Sequence, residues 1–73
     1  MMNHVHDLSI EQLLNDADEI LRCAKATAYE SADSQKGSQR DHGFAVVHLI
    51  EMARGKVDEV LRRKGIAEAV RLE

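Results

Sequence analysis

The chain has 73 residues, one cysteine and a formal net charge of −3, so it has room for a single small domain that no internal disulfide can stabilise. The lone cysteine, Cys23, is typical of a reducing compartment, and we expect a cytoplasmic protein. No stretch approaches the ~18 apolar residues that cross a bilayer, and the polar first residues predict no secretory signal. We therefore expect no membrane association, and the negative charge argues against a general nucleic-acid binder.

The composition predicts an all-α protein, because it contains no proline, few aromatic residues and many helix-forming residues. We expect residues 1–8 to be a flexible N-terminal segment. Ser9 followed by Gln12 is typical of a capping box, and apolar residues then recur at steps of three and four. This pattern predicts a first helix over residues 9–33.

A second helix is predicted over residues 39–64, after a polar connection that contains Gly37. Basic residues fill its last turn, and Gly65 occupies the position where a left-handed residue ends many helices. The hairpin is therefore predicted to span residues 9–66. Residues 67–73 form either a further short helix or a frayed tail, and residues 72–73 resemble what a cloning site leaves behind.

Folding the chain at the connection predicts an antiparallel hairpin in which facing positions sum to about 73. Leu13 would then face Val60, and Ile20 would face Ala53. Residues 1–34 carry a net charge of −5 and residues 35–73 a net charge of +2, which favours this pairing.

The apolar stripe on each predicted helix is wider than one neighbouring helix can cover. We therefore expect two hairpins to pair into a homodimeric four-helix bundle. The dimer interface is predicted at the flanks of the hairpin, at Leu14, Leu21, Ile50 and Leu61.

Three residue patterns bear on other functions. The basic cluster Arg62, Arg63 and Lys64 could contact phosphates, but we favour the interpretation that it stabilises the dipole at the C-terminus of its own helix. The four histidines lack the spacing with which one helix grips a metal ion, and Cys23 lies mid-helix without an activating base. We therefore expect no metal, no cofactor and no catalytic residue.

The two aromatic residues, Tyr29 and Phe44, fall near the connection, with Arg40 and Asp41 beside them. They either cover that end of the core or form an exposed anchor for a partner protein. The function itself is not specified by any motif. We expect a non-enzymatic protein-interaction or regulatory module that self-associates, with nucleic-acid binding through the basic cluster as the alternative.

One resemblance is carried by the segment EILRCAKATAYESAD (residues 19–33), the glycine-containing connection, Arg40-Asp41 and VHLIEMA (residues 47–53). These segments resemble a family of short, uncharacterised proteobacterial proteins that is grouped only as a domain of unknown function. The resemblance covers about residues 9–61 and implies a helical bacterial protein. It implies no activity and assigns no role to any residue.

Overall fold

The chain folds into one antiparallel pair of long helices. The computed structural model describes the backbone of residues 2–72 and the side chains of residues 9–68. Helix α1 spans Met2–Asp33 and helix α2 spans Gly37–Leu72, and no strand occurs within residues 2–72. The described molecule measures 54 × 20 × 11 Å. The prediction of an all-α helical hairpin is therefore confirmed.

Both helices are longer than the sequence signals predicted. Helix α1 begins at Met2 rather than at Ser9, and α2 begins at Gly37 and continues through Gly65. Residues 2–8 contain neither proline nor glycine, so nothing stops α1 from extending upstream of Ser9. An isolated glycine inside a helix costs only about 1 kcal/mol, which the helix-forming residues after Gly65 can offset.

The connection between the helices is short and is fixed by backbone hydrogen bonds. The backbone N–H of Ser34 donates to the carbonyl of Ser31, and that of Gln35 donates to the carbonyl of Ala32 at 3.1 Å. Gly37 has a φ of 64°, a left-handed conformation that glycine adopts without steric cost. The left-handed glycine is therefore at the start of α2, and Gly65 does not adopt the positive φ predicted for it.

Most of the less exposed residues of each helix mark the seam, which we define as the line along which α1 and α2 pack. They recur at alternating steps of three and four, as in a heptad repeat. The seam residues of α1 are Glu11, Leu14, Asp18, Leu21, Lys25, Ala28 and Ala32, and those of α2 are Arg40, Gly43, Val47, Ile50, Arg54, Val57, Leu61 and Lys64.

The register of the seam is fixed by a close approach at the loop end. A Cβ added to Gly43 would lie 2.6 Å from the Cβ of Ala32, so these two residues face each other directly. Facing seam positions then sum to 75 along the hairpin, from Ala32–Gly43 to Leu14–Leu61. Small side chains therefore allow the helices to approach most closely beside the connection.

This register corrects two predictions about which residues face inward. Leu13 and Ile20, which were expected inside the hairpin, are each 67% exposed. The four residues expected at the dimer interface instead lie in the seam between α1 and α2: they are Leu14, Leu21, Ile50 and Leu61. The seam is displaced by one residue from the apolar stripe that the sequence predicted. Several seam positions, such as Asp18, Lys25 and Arg54, are charged, so a search for apolar residues does not detect them.

The hairpin buries very little by itself. Among the described side chains only Ala32, at 1% exposure, and Val47, at 5%, are buried, and no large side chain is fully buried. Two helices offer each other one narrow contact, which encloses no three-dimensional core. The packing within one chain therefore leaves most of the apolar surface in water.

Replacing glycine by alanine is expected to change the free energy of unfolding in opposite directions at positions 43 and 55. Gly43→Ala places a methyl group against Ala32, and we expect the overpacking to lower the free energy of unfolding by about 1–3 kcal/mol. Gly55 has nothing within 4 Å of an added Cβ, so Gly55→Ala should raise it by about 0.5–1 kcal/mol. Urea denaturation followed by far-ultraviolet circular dichroism, at one chain concentration, measures both. Equal effects of the two substitutions would contradict this register.

Candidate interaction surface

One side of the hairpin carries a set of apolar residues, most of them exposed, which we call the apolar face. Each member comes immediately before a seam residue in the sequence. Its large side chains are mostly solvent-exposed: Leu13 and Ile20 are 67% exposed, and Leu49 is 62% exposed. The apolar face consists of Ile10, Leu13, Ala17, Ile20 and Ala24 on α1, and of Val46, Leu49, Ala53 and Val60 on α2.

The two halves of the apolar face lie on the same side because the helices are antiparallel. In a right-handed helix the residues before and after a seam position point to opposite sides of the seam. Reversing the second helix brings the preceding residues of both helices to one side and the following residues to the other. Tyr29 and Phe44, which each follow a seam residue, confirm this placement, since their rings meet edge to face at 5.2 Å on the opposite side.

That opposite side, the polar face, carries ion pairs between the helices. Lys25 Nζ lies 3.3 Å from Glu51 Oε2, and Arg54 Nε donates to Asp18 Oδ1 at 3.0 Å. The hydrogen bond and the charge of Asp18 raise the pKa of the Arg54 guanidinium. A shallow cleft of about 280 Å³ beside them is lined by Lys25, Glu51, Arg54, Gly55 and Asp58. Its Lys25, Glu51 and Arg54 are already engaged in these pairs, so the cleft offers few unengaged groups to a ligand.

At the loop end, Tyr29, Asp33, Arg40 and Phe44 form contacts that join α1 to α2. We call this group the loop-end cluster, or the lock. The Arg40 guanidinium lies 4.9 Å from the centre of the Phe44 ring and donates to the Asp33 carbonyl oxygen at 2.9 Å and to Asp33 Oδ1. Arg40 thereby satisfies a carbonyl at the C-terminus of α1. Phe44 is half-buried and Tyr29 exposed, and Asp41, which was expected beside the aromatic residues, is exposed next to Arg40. The cluster therefore covers the end of the seam.

The basic cluster near the end of α2 is engaged by carboxylates of the same helix. Arg62 and Arg63 both pair with Glu59, and Lys64 Nζ lies 3.8 Å from Glu68 Oε1. The hydrogen bonds from Arg62 and Arg63 lower the pKa of Glu59. These contacts take up part of the positive charge that phosphate binding would use.

The remaining candidate groups lie apart from one another. Cys23 is exposed on α1, and His42 and His48 are exposed on α2. His4 and His6 lie outside the residues whose side chains the structure describes. Within the described part of the chain, no three metal-ligating side chains come together. None of the helix sequence described there is long and apolar enough to cross a membrane.

The family relationship follows from the sequence pattern of the hairpin as a whole. The pattern of one protein family, described as a family of unknown function (DUF6124), matches residues 3–63. The chain belongs to DUF6124. The expected membership of a family of unknown function is thereby confirmed, while its proteobacterial origin stays a prediction. No curated protein and no solved structure matches this DUF6124 chain.

The match contains both helices as far as Arg63, and hence the whole apolar face of this DUF6124 member. The sequence pattern predicted that a single hairpin would leave apolar residues uncovered. It assigned this exposure to the residues that lie in the seam, such as Leu14 and Leu21, and not to Leu13 and Ile20. The signal that could have located it is the heptad that runs through Asp18, Lys25 and Arg54, because charged seam residues also obey the step of three and four.

The loop-end cluster predicts a specific loss of stability. Arg40→Ala removes a contact with an aromatic ring and a hydrogen bond to a helix C-terminal carbonyl, and we expect it to lower the free energy of unfolding by about 1–2 kcal/mol. Arg22→Ala is the matched control, because Arg22 pairs with Glu19 on the exposed surface of its own helix, with no further ion pair to the side chains of residues 9–68. Chemical denaturation measures both variants. An effect of Arg40→Ala no larger than that of Arg22→Ala would argue against the lock.

Proposed function

We propose that this chain is a non-enzymatic protein-interaction module that self-associates through its apolar face into a homodimeric four-helix bundle. The observation that carries the proposal is the exposure of Leu13, Ile20 and Leu49 on one side of a hairpin in which no large side chain among residues 9–68 is fully buried. A second copy of the chain offers the same surface, so two faces can cover each other symmetrically.

The energetics favour this pairing over an isolated hairpin. Fully burying a leucine or isoleucine side chain is worth about 1.5–3 kcal/mol, and the three most exposed residues of the face, Leu13, Ile20 and Leu49, are 62–67% exposed. A single domain of this length has too small a core to be more than marginally stable. Association would supply the missing burial, as it does in bundles built from two helical hairpins.

The same proposal includes a non-enzymatic role and a cytoplasmic location. The ionisable groups nearest one another are held in ion pairs, among them Arg54–Asp18 and Arg63–Glu59, which is typical of a structural surface rather than of a catalytic site. The exposed free thiol of Cys23 favours the cytoplasm, where thiols remain reduced.

The test places charge in the apolar face and compares it with equal charge elsewhere. We expect the wild-type chain to elute with twice its 8.2 kDa mass in size exclusion coupled to light scattering. The double variant Ile20→Lys/Leu49→Lys should dissociate, because it would bury unpaired charges in an apolar interface. Circular dichroism records whether dissociation also costs helicity.

The matched control is Gln12→Lys/His48→Lys, which adds the same two positive charges at exposed positions that follow seam residues on the polar face. This control should retain the dimer mass. A wild-type monomer, or a control that dissociates as readily as the face variant, would overturn the proposal.

A further inference from the structure

Two symmetric arrangements would bury the apolar face between two copies, and they differ in which helices meet. If the twofold axis runs along the helices, both connections lie at the same end, and α1 packs against α2 of the partner. If the axis runs across the helices, the connections lie at opposite ends, and each helix packs against its own counterpart. Both arrangements are common among four-helix bundles in general, so the shape of the face alone does not select one.

The charge of the two helices distinguishes the arrangements. Helix α1 contains seven acidic and two basic residues, whereas α2 contains seven basic and five acidic residues. The same-end arrangement therefore sets a helix of net charge −5 against one of +2. The opposite-end arrangement sets −5 against −5 and +2 against +2. Like charges across an interface disfavour association, so the same-end arrangement is favoured.

Individual side chains on the face lead to the same choice. Lys56 and Arg63 come immediately before seam residues of α2, so they lie on the side of the apolar face. On α1 the exposed carboxylate of Asp16 borders that face, one residue before Ala17. In the α1 half of the face itself, from Ile10 to Ala24, the positions that precede seam residues carry no charge.

The register places these charges within reach of each other between copies. Because facing positions sum to 75, Asp16 of one copy would be level with position 59 of the other in the same-end arrangement. Lys56 and Arg63 flank that level by three and four residues, or roughly 4.5–6 Å along the axis. Their long side chains can cover this distance. In the opposite-end arrangement both basic residues would instead approach the basic helix of the partner.

We propose that the partner of the apolar face is a second copy of this chain with both connections at the same end, so that α1 packs against the partner's α2. This inference rests on the self-association proposed above and assigns its geometry. Asp16 pairs with Lys56 of the other copy at the edge of the interface, while Arg63 stays paired with Glu59 of its own helix. The two loop-end locks formed by Arg40 and Phe44 then lie side by side at one end of the bundle.

Distances between spin labels distinguish the two arrangements directly. Ser38 lies at the exposed start of α2, and the variant Cys23→Ser/Ser38→Cys carries one label per chain at that site. Helices in a bundle lie about 10 Å apart, so the same-end arrangement predicts a label separation below about 30 Å by pulsed electron paramagnetic resonance. The opposite-end arrangement predicts more than about 40 Å, since the connections would be separated by most of the length of the hairpin.

A charge reversal provides a second test, because it should change the dissociation constant of the dimer in opposite directions in the two arrangements. Lys56→Glu should weaken the dimer by about twofold to tenfold in the same-end arrangement, and Asp16→Lys combined with it should restore part of the loss. In the opposite-end arrangement the single substitution would strengthen the dimer. The control Lys36→Glu makes the same change of charge in the connection, far from Asp16, and should leave the dissociation constant unchanged.

The outcomes separate this inference from the proposed function. A dimer with a short label distance, weakened by Lys56→Glu and partly restored by Asp16→Lys, supports both. A dimer with a distance above about 40 Å overturns the same-end arrangement and leaves self-association intact. A monomer at all concentrations overturns both.

Discussion

The whole structure depends on the fact that two helices can offer each other only one seam. Along that seam the chain places Ala28, Ala32 and Gly43 near the loop end and intersperses leucine, isoleucine and valine with charged residues farther away. The result is a hairpin in which Ala32 and Val47 are the buried side chains of the described region. The other apolar side chains among residues 9–68 remain at least partly exposed, so much of the free energy that their burial could supply is unused within one chain.

The charged residues of the seam explain why the unused surface is collected on one side. Asp18 and Arg54 form an ion pair across the hairpin, and Lys25 reaches Glu51. Polar residues at seam positions specify register and orientation at a cost in stability. Because these seam positions are charged, most of the exposed apolar residues lie one position away, on the apolar face, where Lys56 interrupts them on α2. The residues that specify the register of the hairpin are thus different from the exposed residues of the apolar face.

The sequence predicted the fold class, the two helices and the connection, because helix-forming composition and one glycine-containing break specify them locally. It did not predict which apolar stripe each helix buries. Ile20 and Leu21 are neighbours with similar hydrophobicity, and only the facing helix decides which of them is covered. The helix ends were also missed, because the capping residue Ser9 and the glycine at position 65 permit termination without enforcing it. Tyr29 and Phe44 flank the connection in sequence, and their rings meet there at 5.2 Å.

The central claim, that a partner copy completes the core of this hairpin, is tested most directly by the dependence of the melting temperature on chain concentration. If folding and association are coupled, mass action requires the melting temperature to rise as the concentration increases. Circular dichroism melts over a hundredfold range of concentration should therefore shift steadily upward. A melting temperature that stays constant over that range would show that one hairpin folds alone, and it would contradict the account.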